Sequence, residues 1–101
     1  MLIYKILRHA EWEQWQVEGT FAGTPLDQDD GFVHCSTREQ VPGTIERFFT
    51  GDDSLVLVIL DADQFSDHLK WENDFPHIYA AITLEDIVEA EPYGQQTLST
   101  P

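Results

Sequence analysis

Basic side chains are scarce in this chain. Lys and Arg number 5, at positions 5, 8, 38, 47 and 70, against 19 Asp and Glu, for a formal net charge of -14. Nucleic-acid binding is mostly neutralisation of phosphates by Lys and Arg, so neither DNA nor RNA is an expected partner. The same negative field repels an anionic membrane surface. Cysteine occurs once, as Cys35, which excludes an internal disulfide and gives no sign of an oxidising compartment. Long apolar runs are missing too. The longest, Leu55 to Leu60, is far short of the ~20 residues of a membrane span. The apolar start Leu2-Ile3-Tyr4 is cut off by Lys5 before a signal-peptide core can form. These absences point to a cytoplasmic protein, monomeric by default, with no nucleic acid and no membrane among its partners.

What is present suffices for one folded unit. The chain has 101 residues, 42% of them hydrophobic and 12% aromatic. That is one domain's worth of chain, and its composition is not that of a disordered segment. A single domain is expected over residues 1–93. The small polar segment Gly94 to Pro101 is expected to be a fraying tail.

Alternation predicts a first strand over Leu2–Leu7, with Leu2, Tyr4 and Ile6 on one face and Ile3, Lys5 and Leu7 on the other. A helix over Ala10–Glu18 follows, burying Trp12 and Trp15 at i, i+3, with Gly19 as its C-terminal cap. Phe21–Gly31 reads as loop around the acidic run Asp27-Gln28-Asp29-Asp30, and Phe32–Cys35 as a short strand. Thr37 with Gln40 and Ser36 with Glu39 have capping-box spacing, so a helix is expected to open at Ser36-Thr37; Pro42 and Gly43 fit only near a helix start, so a first turn followed by the main helix is expected. Val41, Ile45, Phe48 and Phe49 would form its apolar face and Gly51 would end it. The uniformly apolar Leu55–Leu60 predicts a central strand buried on both sides. Ala62–Asp67 reads as a turn or one helical turn, His68–Glu72 as a strand broken by Phe75-Pro76, and Ile78–Ile82 and Ile87–Glu91 as further strands around a turn at Leu84-Glu85-Asp86. That order predicts an α+β fold with a mixed or antiparallel sheet and two main helices.

Two segments carry the candidate chemistry. In Gly31-Phe32-Val33-His34-Cys35-Ser36-Thr37, His34 and Ser36 share a strand face, and Cys35 takes the other. The free N–H groups of a helix start beside them could hold a phosphate, carboxylate or carboxamide. Equally, Ser36 and Thr37 could simply cap the helix. Trp71-Glu72-Asn73-Asp74-Phe75-Pro76-His77-Ile78-Tyr79 offers a carboxylate, an imidazole, a phenol and further rings, the mixture a small-molecule pocket uses; its aromatics could equally pack the core. No histidine pair has zinc-finger or His-Glu-x-x-His spacing, so no metal site is assigned. Cys35 next to His34 on a strand cannot meet it side by side, so a buried inert thiol is expected.

Ile3-Tyr4-Lys5-Ile6, the Gly31–Thr37 segment with Gln40-Val41, the Trp71-Glu72 pair and Phe75-Pro76-His77-Ile78-Tyr79 together resemble the domain-of-unknown-function 952 family, from about Leu2 to Tyr93. The resemblance implies an ADP-ribosyltransferase-like fold, a split pair of small mixed or antiparallel sheets clasping a cleft. In NAD-consuming members of that fold a first-strand His or Arg, a Ser-Thr pair or aromatic on a later strand, and a Glu on the last strand grip the ligand and steady an oxocarbenium-like transition state. Lys5 stands here in the first-strand position, a departure from that pattern. His34, Ser36 and Thr37 fall in the second segment. Glu72 is the nearest candidate for the Glu, with Glu89 and Glu91 as alternatives, and His77 and Tyr79 line the same cleft.

The reading drawn from this is a transferase of ADP-ribosyltransferase type that binds a nucleotide or NAD-like small molecule. His34 and Glu72 would be catalytic, and Lys5, Ser36, Thr37, His77 and Tyr79 ligand-binding. NAD is the cofactor considered. The alternative is a non-catalytic ligand- or protein-binding module that kept the fold and lost the NAD site. A third reading is a metal-dependent hydrolase using His34, His77 and acids.

Overall fold

The computed structural model describes residues 1–93, so the expected tail over 94–101 lies outside the described residues. Leu55–Asp61 (β4) lies between Leu2–Arg8 (β1) and Ile87–Tyr93 (β8) in an antiparallel sheet ordered β1-β4-β8. Both faces of β4 are covered, which explains its unbroken apolar sequence. Val56, Val58 and Leu60 face a larger core with Ile3, Leu7, Trp15, Phe21, Val33, Ile78 and Ile82. Leu55, Leu57 and Ile59 face a smaller one with Tyr4, Ile6, Val41 and Ile45. The helix His9–Glu18 (α1) brings Trp15 to the larger core and ends on Gly19 in the left-handed region, as expected. The helix Val41–Phe48 (α3) covers the other face.

Two small antiparallel sheets complete an α+β fold with two main helices. Thr20–Phe21 (β2) pairs with Ile82–Thr83 (β7), and Val33–His34 (β3), Phe75–Ile78 (β6) and Leu69–Glu72 (β5) are ordered β3-β6-β5. Among the described residues the sheets number three rather than a pair, and every pairing is antiparallel. A bridge between Tyr4 and Ser36, with both N–H groups donating at 2.8 Å, ties the edge of β1 to the segment after β3. This brings Lys5 beside His34.

Four expectations need correction. The supposed loop contains a six-residue helix, Pro25–Asp30 (α2), capped by Thr24 and ended by Gly31 in the left-handed region. The strand expected over Ile78–Ile82 is not continuous, since Ile78 ends β6 and Ile82 opens β7. The second main helix begins at Val41, after the expected first turn, which Thr37 and Gln40 brace (Thr37 N–H to Gln40 Oε1 2.9 Å, Gln40 N–H to Thr37 Oγ1 3.3 Å). Phe48, expected on the core face of that helix, is 52% exposed. Finally, Phe75-Pro76 does not break the strand pattern but opens β6. Asn73 and Asp74, both at positive φ (52° and 69°), form a two-residue turn with Glu72 opposite Phe75, the type I′ geometry that suits a right-twisted hairpin. Pro76 brings no N–H to the ladder, but its carbonyl still accepts from Cys35 N–H at 3.0 Å, just beyond the end of β3.

Because Asp74 sits at φ 69°, where glycine carries no steric cost, Asp74→Gly should raise stability by up to about 1 kcal/mol and Asp74→Val should lower it. Urea midpoints of the two variants check this; equal midpoints would show that the turn is not held in that conformation.

Candidate functional site

A cleft of about 920 Å³ opens between α2, β3 and β6 on one side and the turn leading into α3 on the other. Lys5, Asp27, Asp30, Phe32, His34, Ser36, Gln40, Thr44, Arg47, Glu72 and His77 are among its lining residues. Thr37, Tyr79, Glu89 and Glu91 are not, so of the three glutamates weighed for one role only Glu72 lines the cleft.

The floor is built on Asp27, whose side chain is 1% exposed. Capping places it there: Thr24 and Asp27 exchange backbone and side-chain bonds (Thr24 N–H to Oδ2 2.9 Å, Asp27 N–H to Thr24 Oγ1 3.3 Å) at the start of α2. Gly23 is needed beside it, because a Cβ there would stand 2.6 Å from the Asp27 Cβ. Lys5 Nζ lies 2.8 Å from Oδ2 and donates to the His34 carbonyl at 3.0 Å, with its own side chain 7% exposed. Oδ1 accepts from His34 N–H at 3.1 Å and contacts His34 Nδ1 at 2.6 Å. Burial alone would raise the Asp27 pKa. The Lys5 charge and the hydrogen bonds from Lys5, His34 and Thr24 outweigh it and hold the carboxyl below its ordinary range. On the other side of the ring, His34 Nε2 lies 2.9 Å from Asp30 Oδ2, so both nitrogens of His34 are engaged by carboxylates.

The wall is the β5–β6 hairpin. His77 stands directly opposite His34 in the β3–β6 register, with ring centroids 5.3 Å apart. His77 Nδ1 is 2.7 Å from Glu72 Oε1, and the Tyr79 hydroxyl donates to that same oxygen at 2.8 Å. Neither contact uses Oε2. These two bonds, from His77 first, together with the nearby Lys70, hold the Glu72 pKa below its usual range; the same bond raises that of the Tyr79 phenol. Phe32 packs over both histidines and the phenol, with centroids 4.1 Å from His77, 4.6 Å from His34 and 5.1 Å from Tyr79.

The structure thus brings together His34, Glu72, His77 and Tyr79, with Lys5 beneath them. Ser36 points its hydroxyl at Thr44 Oγ1, 2.9 Å away, and Thr37 is occupied with Gln40. Cys35 is buried, and desolvation pushes its thiol up to about 12, which rules out a thiolate nucleophile at neutral pH. Sequence reading missed Asp27, Asp30, Phe32 and Arg47. Asp27 could have been found: Thr24-Pro25-Leu26-Asp27 is a capping box with proline at the first helical position, closed by Gly31. Among the described residues no three His, Cys, Asp or Glu side chains converge on a metal position, so the hydrolase alternative has no centre there. No helix among the described residues is long and apolar enough to cross a membrane.

The family profile described as "Protein of unknown function (DUF952)" matches residues 6–90. The chain is also similar to protein CC0527 from Caulobacter crescentus. Its crystal structure is 36% identical, with a TM-score of 0.86 over 91% of this chain and 85% of that one. Its solution NMR structure gives 0.83 over 92% and 84%. No curated protein matches the chain.

Since the folded-state pKa of Asp27 is depressed, its charge contributes stability above its unfolded value of about 3.9. That contribution is lost as pH falls through the folded value. Urea midpoints between pH 6 and 2 should fall more steeply in the parent than in Asp27→Asn, which is less stable at pH 7 but lacks this titration. Parallel acid limbs would contradict the assignment.

Proposed function

The chain belongs to the DUF952 family, and from that premise we propose that its cleft binds a nucleotide or NAD-like small molecule for transfer chemistry of ADP-ribosyltransferase type. The observation that carries the reading is Glu72. Two donors converge on Oε1, which fixes the carboxylate in its ionised form and leaves Oε2 free at the cleft. A fixed anion there can hydrogen-bond a ribose hydroxyl and stabilise positive charge developing on the anomeric carbon. Phe32, stacked on His77, offers an aromatic surface for a nicotinamide or purine ring.

The anion-holding role passes from Lys5 to Arg47. Lys5 is neutralised by Asp27, and Arg8 pairs with Asp52 at 3.1 Å. Arg47 lines the same cleft, lies 5.4 Å from the Phe48 ring centroid and has no acidic partner among the described residues. It is the cation to meet a pyrophosphate. His34 orients the ribose or exchanges a proton with it by exchanging Asp30 for the ligand. The second reading, a binding module without catalysis, draws on Lys5, whose commitment to Asp27 removes an ordinary first-strand ligand contact.

A thermal-shift series with NAD, ADP-ribose, nicotinamide and nucleoside phosphates tests this. A ligand at 100 times its dissociation constant adds about 2.7 kcal/mol, a rise of about 10–20 °C for a domain of this size. The expected outcome is a rise with NAD or ADP-ribose that is lost in Arg47→Ala and reduced in Glu72→Gln. No rise with any of them would contradict the nucleotide reading and favour the module.

A further inference from the structure

The two histidines that face each other across β3 and β6 are not equivalent. His34 has a carboxylate at each nitrogen: Asp27 on Nδ1 and Asp30 on Nε2. His77 has one only, Glu72 on Nδ1, and among the described residues its Nε2 has no hydrogen-bond partner. The His77 side chain is nonetheless nine-tenths buried. Among the described residues, Trp15 Nε1 is the one fully buried side-chain nitrogen or oxygen left unpartnered. His77 Nε2 is therefore not sealed in the core, and His77 is one of the cleft-lining residues.

We infer that His77 is the general base of the cleft, with Nε2 as the atom that takes a proton from a water or hydroxyl acceptor. In this step Glu72 Oε1 and the Tyr79 hydroxyl position the imidazole. Carboxylate oxygens only accept hydrogen bonds, so the contact to Oε1 of an ionised Glu72 fixes the neutral imidazole as the Nδ1–H tautomer. This leaves the Nε2 lone pair directed away from Glu72. The Tyr79 hydroxyl on the same oxygen and Phe32 stacked on the ring at 4.1 Å restrict rotation of this pair. His34, occupied at both nitrogens, is the poorer acceptor. The ligand class is an uncharged O–H nucleophile, which suits a cleft in which Asp30 and Glu72 would repel an anionic acceptor.

The inference rests on the transfer reading given above, where the step balances as follows. The acceptor oxygen forms a bond to the anomeric carbon, and its proton moves to His77 Nε2. The bond from that carbon to a pyridinium nitrogen breaks, with its electron pair leaving on a neutral nicotinamide. The positive charge of the pyridinium ends on the imidazolium. A general base placed this way contributes a factor of roughly 10² to 10⁴ in rate.

The tautomer can be read without any ligand. Long-range proton–nitrogen correlation spectra of uniformly ¹⁵N-labelled full-length protein, recorded where the imidazole is neutral, should show His77 with a protonated Nδ1 and an unprotonated Nε2. Glu72→Gln should move His77 toward the Nε2–H form. Tyr79→Phe, which leaves the Glu72–His77 contact intact, should preserve the tautomer and provides the control if Glu72→Gln folds poorly. A His77 resonance pattern with Nε2 protonated in the parent would overturn the inference whatever the ligand screen gives. The expected tautomer combined with no nucleotide binding would instead remove the nucleotide reading and leave the base in place for another acceptor chemistry.

Discussion

A lysine side chain 7% exposed, on a strand of the main sheet, would be strongly destabilising without a counter-charge. Lys5 has that position because β1 alternates between two cores, and Lys5 shares its face with Ile3 and Leu7 of the larger one. Asp27 supplies the charge. It also accepts from the Thr24 and His34 amides and contacts the His34 ring. One carboxylate therefore joins β1, α2 and β3, and the cleft is built on that junction. Four donors on two oxygens satisfy the group far better than an isolated buried pair. The same commitment explains why Lys5 is a poor ligand anchor and why Arg47, at the rim, is the better one.

The second consequence is a division of labour between two histidine–carboxylate pairs. Asp27 and Asp30 enclose His34, and this pair holds the segment after α2 in place. Glu72 engages only one nitrogen of His77, at the open edge of the β5–β6 hairpin. Phe32 lies between the two pairs and keeps both rings oriented. The strictly antiparallel, two-residue hairpin at Asn73-Asp74 sets the register that puts Glu72, His77 and Tyr79 in contact.

Much of this was legible in the sequence where the signal is local. The apolar run of β4, the alternation of β1, the Trp12–Trp15 helix with its glycine cap, and the candidates His34, Glu72, His77 and Tyr79 all follow from spacing or from the family resemblance. The misses have physical causes. An acidic stretch reads as solvated loop unless its caps are weighed above its charge, so α2 was overlooked. Asn73-Asp74 lacks the glycine that usually marks a type I′ turn, which hid the hairpin. The junction of Lys5, Asp27 and His34 has no sequence signature, since residues so far apart meet only through the Tyr4–Ser36 bridge and the capping of α2.

The central claim is that the cleft depends on the Lys5–Asp27 pair. A double-mutant cycle on Lys5→Met and Asp27→Asn, followed by urea unfolding at pH 7, tests it most directly. Each single variant strands one buried partner and should cost about 3–5 kcal/mol. The double variant should cost much less than the sum, with a coupling of at least about 2 kcal/mol. Costs that add to within about 0.5 kcal/mol would contradict the account.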